Sequence, residues 1–131
     1  MRPTIGSNTQ VKEITFSTNQ AQATYTLTTA SGDVLVDWFA IYVDVAATSG
    51  GLMTVAIQTN DTTPFPLMTI VEGAVAALTL GKNVAPAATN TSFKIKSGKS
   101  LTATIATADG TAGSLKIVLV YRQITGGASL S

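Results

Sequence analysis

The chain has 131 residues, enough for one domain with a substantial core and too few to be expected to form two. Charged residues make up 11%, against roughly 25% in an average soluble domain, and the net charge is +1, which excludes the strongly basic stripe of a nucleic-acid binder. Cysteine and histidine are both absent, which removes disulfides, thiolate and imidazole metal sites, and most nucleophile–base pairs.

Hydrophobic residues reach 45%. So little charge leaves a surface of Thr, Ser, Ala and Asn, or one covered by partners. The charges are also unevenly placed. Before residue 74 stand six acids, Glu13, Asp33, Asp37, Asp44, Asp61 and Glu72, with only Arg2 and Lys12 among the bases. After it stand Lys82, Lys94, Lys96, Lys99, Lys116 and Arg122 with the single acid Asp109. Two outcomes are open: complementary patches that join neighbouring copies, or halves that interleave so that the charges mix. The N-terminal sequence lacks the apolar run of a signal peptide, and no apolar run is long enough to span a membrane as a helix, so a soluble protein without a membrane partner is expected.

In chain order, residues 1–9 are polar with Pro3 and Gly6, and are expected to form an arm that reaches a neighbour. Gln10 to Phe16 is a first strand. Ala21 to Thr29 is a second, with Ala21, Ala23, Tyr25 and Leu27 alternating against Gln and Thr. After the turn Ser31-Gly32-Asp33 comes VLVDWFAIYVDV, Val34 to Val45, the longest β-branched and aromatic run. Unbroken alternation puts Leu35, Phe39, Ile41, Val43 and Val45 on one face and Val34, Val36, Trp38, Ala40 and Tyr42 on the other. Both faces are apolar, so this strand is expected to lie between layers or against another subunit.

Leu52 to Thr59 is expected to return from the turn at Ser49-Gly50-Gly51 as the second arm of a long hairpin. Pro64 and Pro66 then mark a loop and an edge or a crossing between sheets. Leu67 to Val71 is a short strand, and Ala74 to Leu80 fits either a strand or a helical turn. Lys82 to Asn90 is a loop. Thr91 to Lys96 points Phe93 and Ile95 inward, and Ser97-Gly98-Lys99-Ser100 is expected to be a hairpin turn into Leu101 to Ala108. Leu115 to Ile124 is a last strand, apolar on both faces at its centre. Residues 125–131 are a loose tail, leaving residues 10–124 as the domain. These eight or nine strands predict an all-β, two-sheet antiparallel sandwich, jelly-roll-like in strand number.

Candidate sites are few. Asp33 and Asp37 are the nearest pair of acids, but four residues along a strand separate them by roughly 13 Å, too far for one acid–base site. Asp33 is expected to be a turn residue and Asp37 a sheet-edge or contact charge, and no enzyme is expected. The acids do not form a calcium loop motif. Trp38, Tyr25, Tyr42 and Tyr121 would suit a sugar platform if exposed, yet Trp38 and Tyr42 sit in the most buried-looking strand and are expected in the core or against a subunit. Asn60-Asp61-Thr62 and Asn90-Thr91-Ser92 match the glycosylation pattern, as chance allows in a Thr-rich chain. Lys94, Lys96 and Lys99 form a small basic group expected to be a solvated face.

The stretch from Gly32 to Arg122 resembles small β-sandwich structural proteins of tailed bacteriophages. The resemblance lies in the opening SGDVLVDWFAIYVDVAATSGGLMTVAIQT and the closing GTAGSLKIVLVYRQI, where a Gly-Ser turn leads to a terminal strand ending in Tyr-Arg. It implies a capsid decoration, or cement, subunit: a homotrimer made in the host cytoplasm that sits on the capsid surface and bridges major capsid protein subunits, without a cofactor. Interface residues expected on this reading are Arg2, Pro3 and Ile5 of the arm, with Trp38, Tyr42, Val118, Val120 and Arg122 of the doubly apolar strands. The alternative is a receptor- or glycan-binding module of a tail fibre or baseplate, which needs exposed aromatics.

Overall fold

The computed structural model describes residues 9–84 and 92–131, which build nine strands and one short 3-10 turn. The strands are β1 (Thr9–Ser17), β2 (Ala23–Ser31), β3 (Val34–Ser49), β4 (Thr54–Thr59), β5 (Pro66–Met68), β6 (Phe93–Ile95), β7 (Ser100–Ala106), β8 (Gly110–Gln123) and β9 (Ser129–Leu130). They form two antiparallel sheets: a four-stranded one in the order β1-β8-β3-β6 and a five-stranded one in the order β5-β4-β7-β2-β9. The expected two-sheet sandwich is therefore the observed architecture.

The path between the sheets differs from the expectation. Among these strands only β4 and β5 are both neighbours in sequence and partners in a sheet; every other connection crosses from one sheet to the other. The expected hairpin of Val34–Val45 with Leu52–Thr59 is thus corrected: β3 pairs with β8 and β6, and β4 with β7 and β5. The expected hairpin at Ser97–Ser100 is also an arch, since β6 and β7 lie in different sheets. Small turn residues reverse the chain equally well between hydrogen-bonded neighbours and between facing strands, so turn chemistry alone does not separate the two.

Alternation still sets what is buried. In β8, Leu115, Ile117, Leu119 and Tyr121 face inward, and in β7 Leu101, Ala103 and Ile105 meet them from the other sheet. Phe65 stacks on Phe93 at 4.5 Å, and Phe39 meets Phe93 edge-on at 5.9 Å. Strand β3 breaks the simple rule. Its register against β8 slips between Val36 and Trp38, leaving Asp37 as an extra residue, so Val34 and Val36 are buried before the bulge and Phe39, Ile41 and Val43 after it. The unbroken parity expected for Val34–Val45 fails twice: the bulge at Asp37 reverses it, and a second shift between Val43 and Val45 leaves Val45 exposed while Val43 is buried.

One open segment is settled and another differs from the expectation. Ala74–Leu80 contains the helical alternative, a 3-10 turn at Val75–Ala77. The tail expected to be loose carries β9, which pairs Leu130 with Ala30, and Ala128 and Leu130 are buried. Strand β8 begins five residues earlier than expected because Gly113 takes φ 127°. A side chain there would strike the Thr18 hydroxyl and the Ala47 backbone, so the strand passes this point only with glycine.

Candidate docking surface

The inner faces of both sheets are consumed by the core, which leaves two outer faces. That of the five-stranded sheet carries no charge, since β2, β4, β5, β7 and β9 contain no Asp, Glu, Lys or Arg. Some of its hydroxyls bond within the sheet: Thr24 Oγ1 to Thr104 Oγ1 at 2.9 Å, and Thr102 Oγ1 to the Gln58 carbonyl at 3.2 Å.

The outer face of the four-stranded sheet differs. Register aligns Val11, Val120 and Trp38 in one row across β1, β8 and β3, with Val11 65% and Trp38 48% exposed. The next row holds Glu13, Val118 and Ala40, and the one after it Thr15, Lys116 and Tyr42. Leu35 lies opposite Arg122 at the other end. The result is an apolar strip across three strands, led by an exposed indole.

Charge closes the strip at both ends. At one end the Arg122 guanidinium forks onto Asp37, with Nε donating to Oδ2 at 2.7 Å and Nη2 donating to Oδ1 at 3.1 Å. The bulge in β3 is what puts Asp37 beside β8, and the hydrogen bond and charge of Asp37 raise the Arg122 pKa. At the other end Lys116 Nζ donates to Thr15 Oγ1 at 2.7 Å and lies 3.6 Å from Glu13 Oε1. An apolar centre ringed by polar pairs is the layout of a protein-binding patch.

Trp38, Tyr42, Val118, Val120 and Arg122 thus share one outer face, whereas Arg2, Pro3 and Ile5 lie outside the described residues. Trp38 is corrected from core to surface, because the bulge turns it outward. Tyr42, Val118 and Val120 are half-buried. Sequence reasoning missed Val11, although its signal was present: Val11 is out of phase with Ile14 and Phe16, which face the core.

The remaining candidates have structural duties. Asp33 accepts from the Ser97 N–H at 2.8 Å and pairs with Lys94 at 3.3 Å; that backbone bond first, then the lysine, holds its pKa below the usual carboxylate range. Asp61 is lowered by the Thr62 N–H, with Lys96 at 3.6 Å. The basic group is thereby partly neutralised. Asn60 Oδ1 accepts from the Ser100 N–H at 2.7 Å, so this residue clamps β7, and Asn90 lies outside the described residues. Among the described residues no three acids gather as a metal site, and no helix is long and apolar enough to cross a membrane.

No protein-family model matches the chain, and no curated protein matches it. Among solved structures it is similar to a chain in the acidic stable capsid structure of Helicobacter pylori bacteriophage KHP30. The two share 15% identity and superpose with a TM-score of 0.59 over 95% of this chain and 94% of that one. At this identity the likeness is one of fold, and it spans the sandwich from end to end.

Proposed function

We propose that this chain is a structural protein of a phage virion that binds the capsid shell through the outer face of its four-stranded sheet. The observation that carries the reading is the fold likeness to a capsid-structure chain over nearly the whole of both chains. The exposed Val11–Val120–Trp38 row supplies the contact surface. Its finer form is a decoration subunit on the capsid surface, made in the host cytoplasm, bridging major capsid subunits by repeated weak contacts. Catalysis plays no part in it. Mass spectrometry of purified virions and co-sedimentation with heads test the reading. The protein is expected in virions, and Trp38→Lys or Val120→Lys is expected to reduce head occupancy at least about tenfold. Absence from virions, or unchanged occupancy for both variants, counts against it.

One observation favours a second reading, a glycan- or receptor-binding module. Trp38 and Tyr42 project from the same face, roughly 13 Å apart along β3. A Trp38 emission that shifts on adding glycans would favour this reading over shell binding.

A further inference from the structure

Strand β1 is a long sheet edge of a kind that proteins usually blunt. Of the other edges, β6 has 3 residues, β9 has 2, and β5 has 3 and opens with Pro66. β1 has 9, contains neither Pro nor Gly, and keeps an unbroken register with β8 from Thr9 opposite Arg122 to Ser17 opposite Ser114. No described strand pairs with its outer edge.

Backbone direction limits what can pair there. Just past the strand, the Thr18 N–H donates to the Gly113 carbonyl at 3.0 Å. By alternation the even-numbered residues of β1 bond to β8, and Thr9, Val11, Glu13 and Thr15 aim their N–H and C=O groups outward. We propose that this edge pairs antiparallel with the β1 edge of a second copy, with Val11 opposite Val11 of the partner subunit.

The register follows from charge. Hydrogen-bonded opposites must both be odd-numbered, so the two-fold axis stands normal to the sheet and both outer faces look the same way. Centring on Glu13 sets two carboxylates opposite each other, with Cα atoms about 5.5 Å apart, and centring on Lys12 sets two ammonium chains opposite at about 4.5 Å. Centring on Val11 places Glu13 opposite Thr9 and Lys12 opposite Gln10, and buries two exposed valines. The row Trp38–Val120–Val11 then continues into its mirror in the partner, spanning about 24 Å across six strands. A single strip covers three strands; the doubled one comes closer to the roughly 800 Å² per partner that stable interfaces bury. A dimer takes the place of the trimer implied by the phage resemblance. The pairing does not depend on the virion reading and is measured without any shell.

Sedimentation velocity on the full chain over a range of concentrations is expected to show a monomer–dimer equilibrium. Val11→Pro removes an N–H that β8 does not use, so the far-UV spectrum and urea midpoint stay near those of the parent while dimerisation weakens at least about tenfold. Should that variant unfold, cross-linking decides instead. In this cysteine-free chain, Val11→Cys is expected to give a covalent dimer on mild oxidation, because the opposed Cα atoms stand within disulfide reach, and Glu13→Cys is not. A monomer at every concentration, a trimer, or cross-linking through Glu13→Cys in place of Val11→Cys overturns the proposal.

Discussion

Leu119 is 0% exposed beneath the sheet on which Trp38 stands out, and this difference sets opposite expectations for truncation. Leu119→Ala is expected to cost about 2–5 kcal/mol, through lost burial and the cavity left between the sheets. Trp38→Ala is expected to change folding stability by no more than about 0.5 kcal/mol while weakening any contact made by the outer face. Urea denaturation of both variants checks the pair. A large loss for Trp38→Ala would mean that the indole supports the fold, and would remove it from the docking surface. The charged residues tell a related story. Among the described residues all four ion pairs, Glu13–Lys116, Asp33–Lys94, Asp37–Arg122 and Asp61–Lys96, join an acid of the first half to a base of the second. The uneven halves of the sequence therefore meet within one copy at these four pairs.

Strand β3 shows how one residue redirects an element. With Asp37 bulged out, Val34–Val36 and Trp38–Val43 keep a single alternation. Deleting Asp37 is therefore expected to leave the fold intact, losing only the exposed fork to Arg122. Deleting Ala40 instead swaps Ile41 and Val43 to the solvent side, and is expected to abolish folding. Circular dichroism and one-dimensional proton spectra of the two deletions distinguish these outcomes, and equal damage from both would count against the bulge as described. At the other end of the chain, removal of residues 128–131 is expected to cost about 3 kcal/mol, because Ala128 and Leu130 are buried and β9 extends the five-stranded sheet. A urea midpoint unchanged by this truncation would return the segment to the status of a loose tail. The alternation of apolar residues made most strands legible in the sequence. It could not reveal the bulge, because a single inserted residue looks like any other polar residue in a long apolar run.

The whole molecule inherits two properties from its composition and its path. Without histidine or cysteine, no side chain with an ordinary pKa titrates between about pH 5 and 8. Asp33 and Asp61 are held low in the fold, and Glu72 too, where partial burial opposes the shift and the bonds from Thr69 overcome it. Carboxylates with lowered folded pKa values contribute stability above their unfolded values near 4, and lose it as pH falls through the folded ones. Stability is expected to be flat from about pH 8 to 5 and to fall below about pH 4; urea midpoints across this range test it, and a fall between pH 8 and 5 would contradict it. Folding is expected to be slow, in milliseconds to seconds, because nearly every sheet pairing joins strands distant in sequence. Single-exponential refolding in microseconds would be inconsistent with these crossings.

Taken alone, the sequence determined most of the strands, the sandwich class, the inward Phe93 and Ile95 of β6 and the absence of thiol and imidazole chemistry. These depend on residue type and on a period of two, which are local properties. The tertiary structure alone decided which strands pair, that the two expected hairpins are arches, that Trp38 faces outward, and that Val11, Val120 and Trp38 form one row. Each of these depends on register between strands far apart in the chain. Register is settled by the packing of both sheets at once, so no single segment carries it.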